Sequence, residues 1–167
     1  MGLALAGTAA TWAIPALSSR SGTAGRIRQS VSDADEPWAG LQLYAASFAA
    51  GTVLAFATRP FAPAAALLAL AIGDGIGGAI GRRFGRHFYA ATGGKKKSLE
   101  GSAAVALLCM AAVVLAAGRF GVSPSARTII LAGLCGALAE AIAPAGTDNV
   151  LLPAAVWLSL FLQGGIP

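Results

Sequence analysis

The chain has 167 residues, of which 56% are hydrophobic and only 11% charged, with a mean hydropathy of +0.71 and a net charge of +5. Soluble domains carry about 25% charged residues, and one soluble core of this size could not hide so much apolar surface, so the composition excludes an ordinary soluble domain and points to the bilayer as solvent. The positive charge does not imply nucleic acid, because the basic residues sit in short loops between apolar runs, where membrane orientation and lipid or nucleotide phosphates account for them.

Six apolar runs follow in order, at 2–17, 41–57, 61–80, 99–117, 128–143 and 150–162. They predict an all-α, polytopic membrane protein of about six transmembrane helices, forming one integral membrane domain over 1–167 with its chemistry in 61–162. The first run lacks a basic leader region, which argues against a cleaved signal peptide, and Ala6 stands where a myristoylation motif wants Ser or Thr. Abundant Ala and Gly suit closely packed membrane helices. Cys109 and Cys135 fall mid-run and read as small packing residues.

The intervening loops differ in charge. Residues 18–40 hold Arg20, Arg26 and Arg28 and then Asp33, Asp35 and Glu36, while 58–60 hold Arg59 alone. Residues 81–98 hold Arg82, Arg83, Arg86, Lys95, Lys96 and Lys97, and 118–127 hold Arg119 and Arg127. With six spans the first, third and fifth loops share a side, and that side carries nine basic residues against three. The positive-inside rule then places those loops in the cytoplasm of a multi-pass cell-membrane protein. Segment 90–97 reads as a flexible basic stretch before a helix, and His87 as a solvated histidine.

Four acids remain, Asp74, Glu100, Glu140 and Asp148, each within or beside an apolar run. An ionisable group at a helix centre costs on the order of 2.5–3.5 kcal/mol in a bilayer and is a functional-site hypothesis by default. At about 1.5 Å per residue, Asp74 lies roughly 10 Å from the cytoplasmic end of its run. Glu100 opens the next run, Glu140 ends the fifth and Asp148 opens the sixth. All four are expected at one membrane face, beside the most basic loop.

Carboxylates beside Lys and Arg suit a metal–nucleotide complex: hard oxygen ligands hold Mg²⁺, and cations neutralise a transferring phosphoryl group. Asp74, Glu140 and Asp148 are the expected metal ligands, directly or through water. Lys97 and Arg82 are the expected phosphate holders, and Glu100 the candidate base for an attacking hydroxyl. Lys97, Glu100 and Asp148 thus form the candidate catalytic set. Gly73, Gly77, Gly81 and Gly85 recur every fourth residue, a stripe that either packs helices or leaves room for a phosphate. Ser98 can cap the fourth run, and Glu100 in its first turn favours the helix dipole. No Walker, protein-kinase or G-x-S-x-G motif is present.

Three segments in order resemble the polyprenol kinase family, which includes dolichol and phytol kinases. Gly73-Asp74-Gly75-Ile76-Gly77-Gly78-Ala79-Ile80-Gly81-Arg82-Arg83-Phe84-Gly85 is similar to that family's G-D-x-x-A/G-x-x-x-G-R-x-x-G. Lys96-Lys97-Ser98-Leu99-Glu100-Gly101-Ser102 is similar to its K-K-S-x-E-G-S. Glu140-Ala141 followed by Asp148-Asn149-Val150-Leu151-Leu152-Pro153 is similar to its E-A…D-N-x-x-x-P. The upstream Arg26-Ile27-Arg28 departs from the family in lacking a histidine.

The resemblance implies phosphoryl transfer from CTP, with Mg²⁺, to a long-chain isoprenoid alcohol. Gly73, Gly77, Gly81, Arg82, Arg83, Lys96, Lys97, Ser98 and Asn149 would then line the nucleotide. A CTP-dependent diacylglycerol kinase carries similar motifs, and phosphatidate cytidylyltransferases are more distant. An ion-coupled transporter is the rival of a different class. The implied partners are the lipid alcohol, the nucleotide and membrane lipids. The oligomeric state stays open.

Overall fold

A computed structural model describes Ala9 and residues 38–57, 61–92, 96–144 and 146–163. The first apolar run apart from Ala9, the charged stretch with Arg20, Arg26, Arg28, Asp33, Asp35 and Glu36, and the residues Arg59 and Lys95 lie outside the described residues.

The described chain is a helical bundle with one small hairpin. Helix α1 spans Trp38–Ala57. Helix α2, Phe61–Ala69, runs through a π-helical turn at Leu70–Asp74 into α3, Gly75–Phe84. Strands β1 (Phe88–Ala90) and β2 (Lys96–Ser98) pair antiparallel, with Tyr89 opposite Lys97. Helix α4 spans Leu99–Phe120, α5 Ala126–Ile142 and α6 Asp148–Leu162.

Local chemistry sets the boundaries. Ser98 and Ser125 cap α4 and α5, each accepting a bond at 3.2 Å from the backbone N–H three residues on. Gly121 ends α4 in the left-handed region at φ +66°, and Gly146 turns the chain between α5 and α6 at φ +80°. Arginine is a good helix former, so α3 continues through Arg82 and Arg83, beyond the apolar run, to Phe84. The basic stretch before α4 is not simply flexible: its ends form the β1–β2 hairpin, and Leu99 N–H donates to the His87 carbonyl at 2.9 Å.

Among the described residues, three helical stretches are long and apolar enough to cross a membrane: Ala39–Ala57, Phe61–Phe84 and Leu99–Phe120. Helices α5 and α6, of 17 and 15 residues, are about 25 and 22 Å long, short of the hydrocarbon thickness of about 30 Å. Packing is inverted relative to a soluble protein. The core around α2, α4 and α6 is built largely from small residues, among them Ala65, Ala69, Cys109 and Ala112. Phe56, Leu107, Leu138 and Leu162 stand exposed. Small residues inside and large apolar ones outside are what lipid contact selects.

Helix α4 is the central strut, packed on α2, α3 and α5, while α6 closes against α5 and α2. This connectivity brings the α3 C-terminus, the hairpin, the α4 N-terminus and the α5–α6 turn to one end of the bundle.

Candidate active site

The site begins at the α5–α6 turn. Four residues (Ala143, Pro144, Gly146, Thr147) and one further position separate the helices, so these must run antiparallel, placing the end of α5 beside the start of α6. Thr147 tightens the turn by donating from its hydroxyl to the Pro144 carbonyl at 2.8 Å. Glu140 and Asp148 therefore approach each other, and two carboxylates so placed repel unless a cation intervenes. Lys97 supplies that cation. Its ammonium donates to Glu140 Oε1 at 2.6 Å and to the Glu140 backbone carbonyl, and lies 3.9 Å from Asp148 Oδ2. All three side chains are nearly buried, at 14%, 12% and 13% exposure. Strand β2, fixed by pairing with β1 and by the Ser98 cap, delivers the lysine.

Asp148 Oδ1 also accepts the Asn149 backbone N–H at 3.1 Å. Asn149 faces elsewhere: its amide donates to the carbonyls of Gly40 at 3.2 Å and Gly146 at 3.4 Å, fastening α1 to the turn. Asp74 ends the π-helical turn, an irregularity frequent at functional sites. Its neighbour Gly73 approaches both Cys109 and Leu152, and Gly136, one turn before Glu140, meets Cys109 from the other side. Gly73 and Gly136 thus meet Cys109 from two helices.

Among the described residues, no three His, Cys, Asp or Glu side chains form a group that could hold a metal ion. The expected cage of Asp74, Glu140 and Asp148 is not assembled; two of its members are bridged by Lys97 instead. One feature does fit a cation: Glu140 Oε2 is buried without a hydrogen-bond partner. Mg²⁺ is often held by one or two carboxylates together with waters and substrate phosphates. Glu140 and Asp148 fit that pattern, and a three-carboxylate cage does not.

The glycine stripe is occupied by protein. A Cβ on Gly73 would lie 3.1 Å from Cys109 Sγ, one on Gly77 2.5 Å from Val105 Cγ2, and one on Gly81 3.2 Å from Gly101 Cα. Residues 73, 77 and 81 of one rod therefore seat on 109, 105 and 101 of α4, a small-residue seam between antiparallel helices. The room these glycines leave is filled by α4. A Gly77→Ala variant is expected to lose about 1–3 kcal/mol of stability through overpacking, and a second change, Val105→Ala, should recover most of it in thermal unfolding. A loss that Val105→Ala leaves untouched would argue against the seam.

Glu100 stands in a different group. It accepts from the backbone N–H groups of Arg86 at 3.1 Å and His87 at 3.3 Å, and it contacts His87 Nδ1 at 2.6 Å. These bonds clamp the turn between α3 and β1. His87 is 74% exposed there, but it has a carboxylate partner that no spacing rule indicated. Tyr89 OH and Ser102 Oγ share a further bond of 2.7 Å. Lys96, Arg82 and Arg83 are exposed nearby.

Comparison with protein-family models, curated proteins and solved structures finds no match to this chain.

Proposed function

We propose that this chain is a multi-pass membrane enzyme that transfers the terminal phosphate of CTP to a long-chain isoprenoid alcohol at the cytoplasmic face. One observation carries the reading. The three segments that resemble polyprenol kinases, far apart in sequence, meet one another: Gly81 on Gly101, Gly73 beside Leu152, and Lys97 on Glu140 and Asp148. Structural charges scattered through a bundle have no reason to gather where these motifs join.

In this reading Glu140 and Asp148 would hold the magnesium ion that accompanies the nucleotide. Bound there, the ion offsets negative charge on the phosphates. Lys97 keeps the two carboxylates together and stands ready to move onto a phosphate oxygen. Arg82, Lys96 and Ser98 border the same end. The contacts of Glu100 support a positioning role for it, holding the turn that leads to the hairpin, more than the role of hydroxyl base. A lipid alcohol would enter sideways from the bilayer, past the exposed apolar side chains of the helices.

Purified protein given γ-labelled CTP, Mg²⁺ and a panel of phytol, geranylgeraniol, a polyprenol and diacylglycerol should label one isoprenoid alcohol. Labelling of diacylglycerol alone would move the assignment to that kinase. Ion flux in liposomes with no lipid labelled would favour the transporter.

The full topology of six spans with 81–98 inside belongs to the same proposal. Single cysteines at Thr92 and Ser123, both exposed, in a chain with Cys109 and Cys135 replaced by alanine, should react from opposite sides of the membrane. Labelling of position 92 from outside intact cells would overturn the orientation.

A further inference from the structure

A cavity of about 520 Å³ lies beside the Glu100 clamp, lined by Arg83, Phe84, Gly85, Arg86, His87 and Glu100. It is distinct from the Lys97 cluster, sharing no residue with it. Two guanidinium-bearing residues line it, and among the described residues neither forms an ion pair. The one carboxylate present is already engaged by His87 and two backbone N–H groups. The lining therefore offers net positive charge carried by guanidinium groups, which can contact a phosphate through two parallel N–H donors.

The walls are fixed. Glu100 holds the turn at 86–87, and a Cβ on Gly85 would lie 2.7 Å from Ser98 Oγ, so the backbone here is packed tightly against the end of β2. The surroundings are apolar: Phe84, Phe88 and Leu99 are each 60% exposed. Paired arginines among exposed aromatic and aliphatic side chains, where membrane helices end, match an amphiphile with a phosphate at its polar end. Basic pockets in this position beside transmembrane helices take anionic headgroups.

We infer that this cavity binds the phosphate headgroup of an anionic lipid, at a site separate from the Lys97–Glu140–Asp148 cluster. The inference stands independently of the proposed kinase activity.

Binding can be measured on the full chain in nanodiscs of neutral phosphatidylcholine, titrated with phosphatidic acid. Competition arms use inorganic phosphate and CTP. Arg83→Ala/Arg86→Ala should weaken phosphatidic acid binding at least tenfold, while Arg119→Ala/Arg127→Ala, which removes equal charge elsewhere, should leave it unchanged. Glu100→Ala discriminates further. It raises the net positive charge, so a generic electrostatic attraction would tighten binding, whereas a cavity built on the clamp weakens it several-fold. Neither inorganic phosphate nor CTP should displace the lipid at concentrations equal to its own. Equal loss in both arginine pairs, or tighter binding in Glu100→Ala, would reduce the site to surface charge. Displacement by inorganic phosphate would make it a free-anion site, and displacement by CTP would assign it to the nucleotide; each overturns the lipid assignment.

Discussion

Replacing Asp148 with asparagine is expected to lower phosphoryl transfer by about 10²- to 10³-fold, the range seen when one preorganised electrostatic contact to a transition state is lost, with the protein still folded. The side chain is buried, and its two oxygens do different things. Oδ1 accepts the Asn149 N–H at 3.1 Å, and an asparagine carbonyl can do the same. Oδ2 faces the Lys97 ammonium at 3.9 Å, and there the charge is needed. The amide keeps the volume and the first-turn bond of α6. It gives up a favourable helix-dipole interaction of about 0.3–1 kcal/mol. Folding should therefore change little, while Mg²⁺-dependent CTP binding weakens, as isothermal titration would read. Near-normal turnover in Asp148→Asn, or a variant that fails to fold, would transfer Asp148 from the chemistry to the scaffold.

Lys97→Ala should have the largest effect on stability of any single change in the cluster. The ammonium is the only cation recorded on Glu140 and Asp148 among the described residues. Removing it leaves two nearly buried carboxylates facing each other, and breaking a buried pair by deleting one partner costs about 3–5 kcal/mol. The penalty comes from the stranded charge, not from the lost bond alone. A double variant, Lys97→Met with Glu140→Gln, should therefore unfold at a higher temperature than Lys97→Ala while remaining inactive, because the cation and the carboxylate to which the proposal gives phosphate and metal binding are both gone. If Lys97→Ala matched the parent in thermal unfolding, the ion cluster would have no structural weight. If the double variant transferred phosphate, it would have no catalytic weight.

Much of the helical layout was legible in the apolar runs, because a hydrophobic stretch bounded by caps is a local signal. The run at 99–117 became Leu99–Phe120, with Ser98 at its cap and Gly121 at its end. The run at 128–143 became Ala126–Ile142 behind Ser125. The run at 61–80 falls short of the helix that ends at Phe84, because arginines end a hydropathy stretch without ending a helix. The π-helical turn ending at Asp74 left no trace in residue pattern. Strands of three residues are too short for a period-two signal, so the β1–β2 hairpin was invisible.

The site divides in the same way. That Glu140 meets Asp148 follows from a turn too short for anything but an antiparallel hairpin. That Lys97 is the cation between them depends on the hairpin aiming β2 across 43 residues of sequence. His87 reads as a solvated histidine and is 74% exposed, but its bond to Glu100, 13 residues away, exists only once the chain reverses. The spacing of Gly73, Gly77, Gly81 and Gly85 shows a bare stripe, but only the position of α4 shows what covers the first three.

The central claim is that the terminal phosphate, and not the cytidylyl group, reaches a lipid alcohol. Parallel reactions with α-labelled and γ-labelled CTP decide it directly. Each uses the purified full chain in nanodiscs with Mg²⁺ and the alcohol panel, and Asp148→Asn serves as the control. The account predicts γ label in one isoprenoid lipid, α label retained in CDP, and neither transfer in the control. Label from the α position in lipid with release of pyrophosphate, or no label in any lipid, would contradict it.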